Sequence, residues 1–168
     1  MRTDGCYVDT SLIVARYKPG DRLHRVSEKL FQRGDVKLYA SPITLVELYS
    51  VLSRVRGKLQ TPLIRKPFLD TLSTFIVNDC KLTILSRSCI AEKEVAEQLH
   101  RIPLEYCLSM KLADRLGLRT LDLLHLAYAH MLDISTFITG DEEILKRSKA
   151  IKETLKINVF HPKQVTLA

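Results

Sequence analysis

Residues 36–55, VKLYASPITLVELYSVLSRV, change their period partway along. VKLYAS is a short apolar run with β-branched and aromatic side chains, the composition of a strand. Ser41 is a good N-cap and Pro42 suits the first helical position, so a helix starts at that point. Positions 43, 47, 51 and 55 then make one helical stripe that reads Ile, Glu, Val, Val. A strand running directly into a helix is half of a βα unit, and the chain repeats this pattern from end to end.

Further strands are expected at CYVD (6–9), LTILS (82–86), STFIT (135–139) and INVFH (157–161). Helical patterns fall near 21–33, 43–56, 65–79, 91–100, 104–116, 120–132 and 141–149. Strands alternating with helices over the whole length imply crossovers, and hence an α/β fold with a parallel sheet covered on both faces. No linker, repeat or low-complexity tract interrupts the 168 residues, which read as one domain, 1–168.

Composition narrows the function classes. Hydrophobic residues make up 46% and charged residues 27%, as in soluble globular proteins. No run of about 18 apolar residues suggests a membrane span, and MRTDGCYVDTS lacks the apolar core of a signal peptide. A cytoplasmic location is expected. Cys6, Cys80, Cys89 and Cys107 form no CxxC pair, which argues against structural zinc and for reduced thiols in or near the core. The formal charge of +7 fits a polyanionic partner without proving one. Basic residues gather at Arg54, Arg56 and Lys58, at Arg65 and Lys66, and in KRSKAIKETLK (146–156), although each cluster alone also fits a solvated helical surface.

In open parallel sheets ligands bind outside the carboxyl ends of the strands, so the acids at those ends matter most. Asp9 closes the first strand in YVDTS, and Asp141 follows the fourth in FITGDEEIL. Each has an ordinary explanation: strand-end capping for Asp9, and for the second stretch a capping box with Thr139 as N-cap and Glu142 three residues on. Glu47 interrupts an otherwise apolar stripe, where a carboxylate needs a partner such as Arg, or a metal. Asp122 sits in the first turn of the apolar helix in LRTLDLLHLAYAH (118–130), where Thr120 is a plausible N-cap and dipole compensation is the plain reading. If the sheet gathers Asp9, Glu47, Asp122 and Asp141, their mutual repulsion in a half-buried cleft calls for a cation. An all-oxygen set without His or Cys selects Mg²⁺ or Mn²⁺ over zinc. Such ions can activate a water and stabilise the leaving oxygen of a phosphodiester.

YVDTS, SPITLVELYSVL, LRTLDLLHLA and FITGDEEI, in that order and spacing over nearly the whole chain, resemble the PIN-domain nucleases, and among them the VapC-type ribonuclease toxins of toxin–antitoxin pairs. The resemblance implies a PIN-like, Rossmann-like three-layer sandwich with a central, mainly parallel five-stranded sheet. It also implies a metal-dependent endoribonuclease with an RNA substrate, frequent homodimers, and an antitoxin whose C-terminal segment occludes the site. The family's catalytic and metal-binding acids map onto Asp9, Glu47, Asp122 and Asp141. Ser11 and Thr139 match positions of small hydroxyl residues that orient an acid or a water. Arg54, Arg56 and Lys58, toward and past the end of the Glu47 helix, are candidates for the RNA backbone.

Several neighbours stay open or bland. Glu142 and Glu143 either join the acids or face solvent, Asp114 is read as a surface residue, and His125 as packing rather than catalysis. Ser11 has no His or Lys placed by sequence to activate it as a nucleophile. A phosphatase of the haloacid-dehalogenase type would also carry an Asp after the first strand, but it needs a second Asp two residues on, where this chain has Ser11. A PIN nuclease of RNA processing and a catalytically weak RNA-binding PIN scaffold are the remaining alternatives.

Overall fold

The computed structural model describes residues 3–59 and 66–166. Its centre is a five-stranded sheet of β1 (Cys6–Val8), β2 (Leu38–Ala40), β3 (Leu82–Ile84), β6 (Thr136–Ile138) and β7 (Asn158–Phe160). The spatial order is β3-β2-β1-β6-β7, and every pairing is parallel. All five strands coincide with the apolar runs expected from the sequence. β1 lies in the middle, with the chain order reversing direction on either side of it, which opens a crevice at its carboxyl end.

Side-chain alternation along the short strands sorts the core into two layers. Val8, Leu38, Ala40 and Ile138 point to one face, where they meet Leu12 and Ile13 of α1 (Thr10–Arg16), Leu30 and Phe31 of α2 (His24–Gln32), Leu48 of α3 (Pro42–Leu59) and Ile76 of α4 (Lys66–Asp79). Tyr7 and Phe137 point to the other face. They pack on Leu112 and Leu116 of α5 (Leu104–Leu116), Leu123 and Leu126 of α6 (Thr120–Met131), Ile144 of α7 (Glu142–Lys146) and Ile151 and Leu155 of α8 (Ser148–Leu155). The register places Tyr7 beside Phe137, and the two rings stack at 5.2 Å between centroids and 9° between planes. Gly5 precedes β1 with φ +138, and a Cβ there would lie 2.6 Å from the Lys37 carbonyl oxygen, so the approach of β1 to β2 requires glycine.

Two expectations fail. The stretch expected to be helical at 91–100 is instead an antiparallel hairpin, β4 (Ile90–Val95) and β5 (Gln98–Pro103). IAEKEVAEQL is rich in helix formers, and its two-residue turn uses Ala96 and Glu97 at φ 49 and 62, without the Asn or Gly that usually announces such a turn. Tertiary context overrides propensity: Cys89 accepts the Leu104 N–H at 2.8 Å, the hairpin closes on α5, and Glu92 pairs opposite Arg101. The helix expected near 141–149 is broken at Arg147 into α7 and α8. Arg147 donates its backbone N–H to Ile144 and its side-chain Nε to the Leu116 carbonyl at 2.7 Å, so the residue at the break is tied to the end of α5. The basic stretch 146–156 is therefore mostly α8. A short helix, α9 (Pro162–Thr166), follows β7.

The four cysteines are free, two buried and two half-buried. Among the described residues no helix is long and apolar enough to cross a membrane. Phe137→Ala is expected to cost about 3–5 kcal/mol in urea unfolding, because its fully buried ring anchors the sheet to α6. Leu99→Ser, on the hairpin and 67% exposed, is expected to shift the same measurement by no more than about 0.5 kcal/mol.

Candidate active site

Asp9 stands immediately after β1 and caps α1. Its Oδ1 accepts the Ser11 N–H at 3.2 Å, and its Oδ2 accepts the Ser11 hydroxyl at 2.9 Å and the Thr139 hydroxyl at 2.5 Å. Only 8% of Asp9 is exposed, so these donors replace the water that an ionised carboxylate would otherwise require. Thr139 follows β6, and its Oγ1 also accepts the Asp141 N–H at 3.0 Å. The cap of α7 is Asp141, which accepts the Glu143 N–H at 2.8 Å, and not Thr139 as the capping-box reading expected. The hydroxyl of Thr139 is committed to Asp9 instead.

On α3 the sequence stripe needs correction. Thr44 and Leu48 turn into the core, whereas Glu47 and Val51 border a cleft and Val55 is half exposed. Glu47 lies on the flank of the helix, beside the core rather than within it. Its partner is His125, whose Nε2–H donates to Oε2 at 2.6 Å, and not an arginine. The His125 ring is almost fully buried on α6, and its Nδ1 lies 2.8 Å from the Tyr7 hydroxyl, which in turn lies 2.6 Å from Ser41 Oγ. A neutral imidazole satisfies this chain with one set of directions: Ser41 donates to Tyr7, Tyr7 to Nδ1, and Nε2–H to Glu47. Burial would raise the Glu47 carboxyl, but hydrogen bonding, above all from His125, outweighs it and holds the group below the ordinary glutamate range.

Asp122 occupies the first turn of α6, whose cap is Arg119 rather than Thr120. Arg119 was not singled out by the sequence reading. Its Nε donates to Asp122 Oδ2 at 3.2 Å, and a terminal guanidinium nitrogen donates to Asp141 Oδ2 at 2.5 Å. Burial nonetheless holds the Asp122 carboxyl above the ordinary aspartate range, with Asp141 and Asp9 pushing the same way and Arg119 opposing them. Asp9, Glu47, Asp122 and Asp141 thus share a cleft of about 740 Å³, with Ser11, Val51, Arg54 and Leu121 also on its walls. Among the described residues, no three His, Cys, Asp or Glu side chains converge as a ready metal-ligand cluster. The donor set is nevertheless all oxygen and lines one crevice, the chemistry that suits a hard divalent cation.

Glu142 and Glu143 adjoin this group, lining a neighbouring pocket with Asp122 and Asp141. Glu142 pairs with Arg22 at 2.5 Å, Glu143 pairs with Lys146 at 2.7 Å, and Asp114 is exposed on α5. Arg54 reaches the cleft, while the side chains of Arg56, Lys58, Arg65 and Lys66 lie outside the described residues. Only a fold could reveal Arg119 and the Tyr7–His125 chain as parts of the site, because their partners lie far away in sequence. The local hint was Arg119 three residues before Asp122, an i,i+3 spacing.

A carboxyl whose folded-state pKa exceeds its unfolded value costs stability when ionised; the cost fades as pH falls through the folded-state value and is gone below the unfolded value of about 3.9. Metal-free Asp122→Asn should therefore melt a few degrees above the parent at neutral pH, and the gap should close as the melts approach pH 4. Thr139→Val removes a donor from the buried Asp9 carboxylate, and chemical denaturation should record a loss of about 1–3 kcal/mol.

Comparison with known proteins agrees with this architecture. The model of the PIN domain matches residues 6–150. Among solved structures, the chain is similar to the crystal structure of VapBC2 from Rickettsia felis bound to a DNA fragment from their promoter. The TM-score is 0.53 at 17% identity, with 93% of this chain and 97% of that chain covered, a likeness of fold. No curated protein matches by sequence. With the family model spanning β1 through the start of α8, and the acids gathered at the carboxyl edge of the sheet it describes, the chain belongs to the PIN domain family.

Proposed function

We propose that this chain is a divalent-metal-dependent endoribonuclease, acting as one domain over residues 1–168 and serving as the toxin of a toxin–antitoxin pair. One observation carries the reading: the four expected carboxylates, from four separate elements, line a single cleft at the carboxyl edge of the parallel sheet, with Asp21 on the same wall. Family membership supports nuclease chemistry, and the likeness of fold to a VapBC2 structure supports the toxin role. Asp9, Glu47, Asp122 and Asp141 would hold one or two Mg²⁺ or Mn²⁺ ions, which supply activation of a water and stabilisation of the leaving oxygen.

The rest of the site serves those acids. Ser11 and Thr139 fix Asp9 in one orientation, and His125 fixes Glu47 against the side of α3. Arg54 contacts the RNA backbone from the cleft wall, with Arg56 and Lys58 further along the same helix. The antitoxin, a homodimer partner and a cytoplasmic setting complete the reading.

A binding-only PIN scaffold is the second reading. It is favoured by Arg119, which already relieves the repulsion between Asp122 and Asp141 without a metal. RNA cleavage assays separate the two. Cleavage should require Mg²⁺ or Mn²⁺, stop with EDTA, and fall at least about a hundredfold in Asp9→Asn and Asp122→Asn. Cleavage that survives chelation would sink the metal-dependent reading, and RNA binding without cleavage under any metal would establish the scaffold. Growth arrest on expression, relieved by a small reading frame adjacent in the genome, tests the toxin role.

A further inference from the structure

Arg119 holds an unusual place. It stands at the entry to α6 on extended backbone, φ −69 and ψ 155, with 73% of its side chain exposed. Its guanidinium nevertheless bridges two elements, reaching Asp122 on α6 and Asp141 ahead of α7. A single monovalent cation therefore fills the interval between two carboxylates of the proposed metal set. Exposed ion pairs of this kind are weak, and a divalent ion carries twice the charge with better-matched coordination. Arg22, on the adjoining pocket wall, forms its ion pair with Glu142.

A displaced Arg119 would remain tethered at the rim of the cleft, because its backbone position is set by α6. Its fork of donors matches the oxygens of a phosphate as well as those of a carboxylate. We propose that Arg119 is a displaceable internal cation: it occupies Asp122 and Asp141 when no divalent ion is bound, yields them to the ion, and then binds a backbone phosphate of the RNA. This rests on the metal-nuclease reading above, and it adds a substrate-binding residue outside the four acids. Empty and loaded sites then differ in what they offer a polyanion: without the ion, the guanidinium is spent on the protein's own carboxylates.

Arg119→Gln and Arg119→Lys test it. Titration with Mn²⁺ alone, followed by calorimetry or by the electron paramagnetic resonance of free ion, should show Arg119→Gln binding the ion about fivefold more tightly than the parent, the scale of two exposed ion pairs. Arg119→Lys, a point charge that cannot fork across both acids, should fall between. At saturating Mn²⁺, anisotropy of a labelled single-stranded RNA of mixed sequence, read on mixing, should show the reverse order. Arg119→Gln should bind about five- to tenfold more weakly, with the salt slope reduced by about one. Unchanged or weaker Mn²⁺ binding in Arg119→Gln, with the parent binding normally, overturns the inference and leaves the nuclease reading standing. Unchanged RNA affinity overturns the phosphate role. A parent that binds no Mn²⁺ overturns both this inference and the metal reading. Should Arg119→Gln fail to fold by circular dichroism, Arg119→Lys decides, and Mn²⁺ affinity no higher than the parent's overturns the inference.

Discussion

A buried anion, Asp9, sets the terms for the centre of this molecule. It lies where β1 ends and α1 begins, almost without solvent, and its lone pairs are met by Ser11 and by Thr139 from the end of β6. Those contacts are possible only if β1 and β6 are neighbours in parallel and end at the same level, which is the observed register. The sheet topology and the charge thus depend on one another: the carboxyl edge supplies the donors, and the anion fixes the edge. Glu47 is then placed by α3 after β2 and Asp141 by the turn after β6, whereas Asp122 is carried by α6, which follows α5 and leads into β6.

Stability and chemistry pull in opposite directions at this edge. Apolar helices hold the acids, since α6 is buried along most of its length apart from its exposed first turn. Burial that makes the mount rigid also raises the free energy of ionised Asp122. Arg119 relieves part of that cost, and His125 supports Glu47 by different means. Arg119 is an exposed charge, whereas His125 is a buried donor.

The sequence made the sheet legible because strands buried on both faces read as compact apolar runs, and CYVD, VKLYAS, LTILS, STFIT and INVFH all fall on it. The hairpin at 90–103 was illegible for the complementary reason. Its strands are exposed and charged, its turn lacks glycine, and it packs against α5. At the site, acids at strand ends could be picked out because topology assigns those ends a common side. What joins them could not. His125 meets Glu47 across 78 residues of sequence, and Arg119 reaches Asp141 across 22, so neither partner is written in local spacing. For the same reason the stripe through Glu47 was placed one helical flank too deep, since periodicity gives a face but not what stands opposite it.

Tyr7 has a consequence that reaches beyond packing. Its ring is stacked on Phe137 in the middle of the core, while its hydroxyl belongs to a line of polar atoms leading from Ser41 through His125 to Glu47. The interior and the cleft are therefore not separable modules. A change that merely loosens the stack of two aromatic rings would reach a carboxylate on another helix as a loss of alignment. Among related chains, the residues permitted at the centre of this sheet would be limited by the geometry of the cleft as much as by volume.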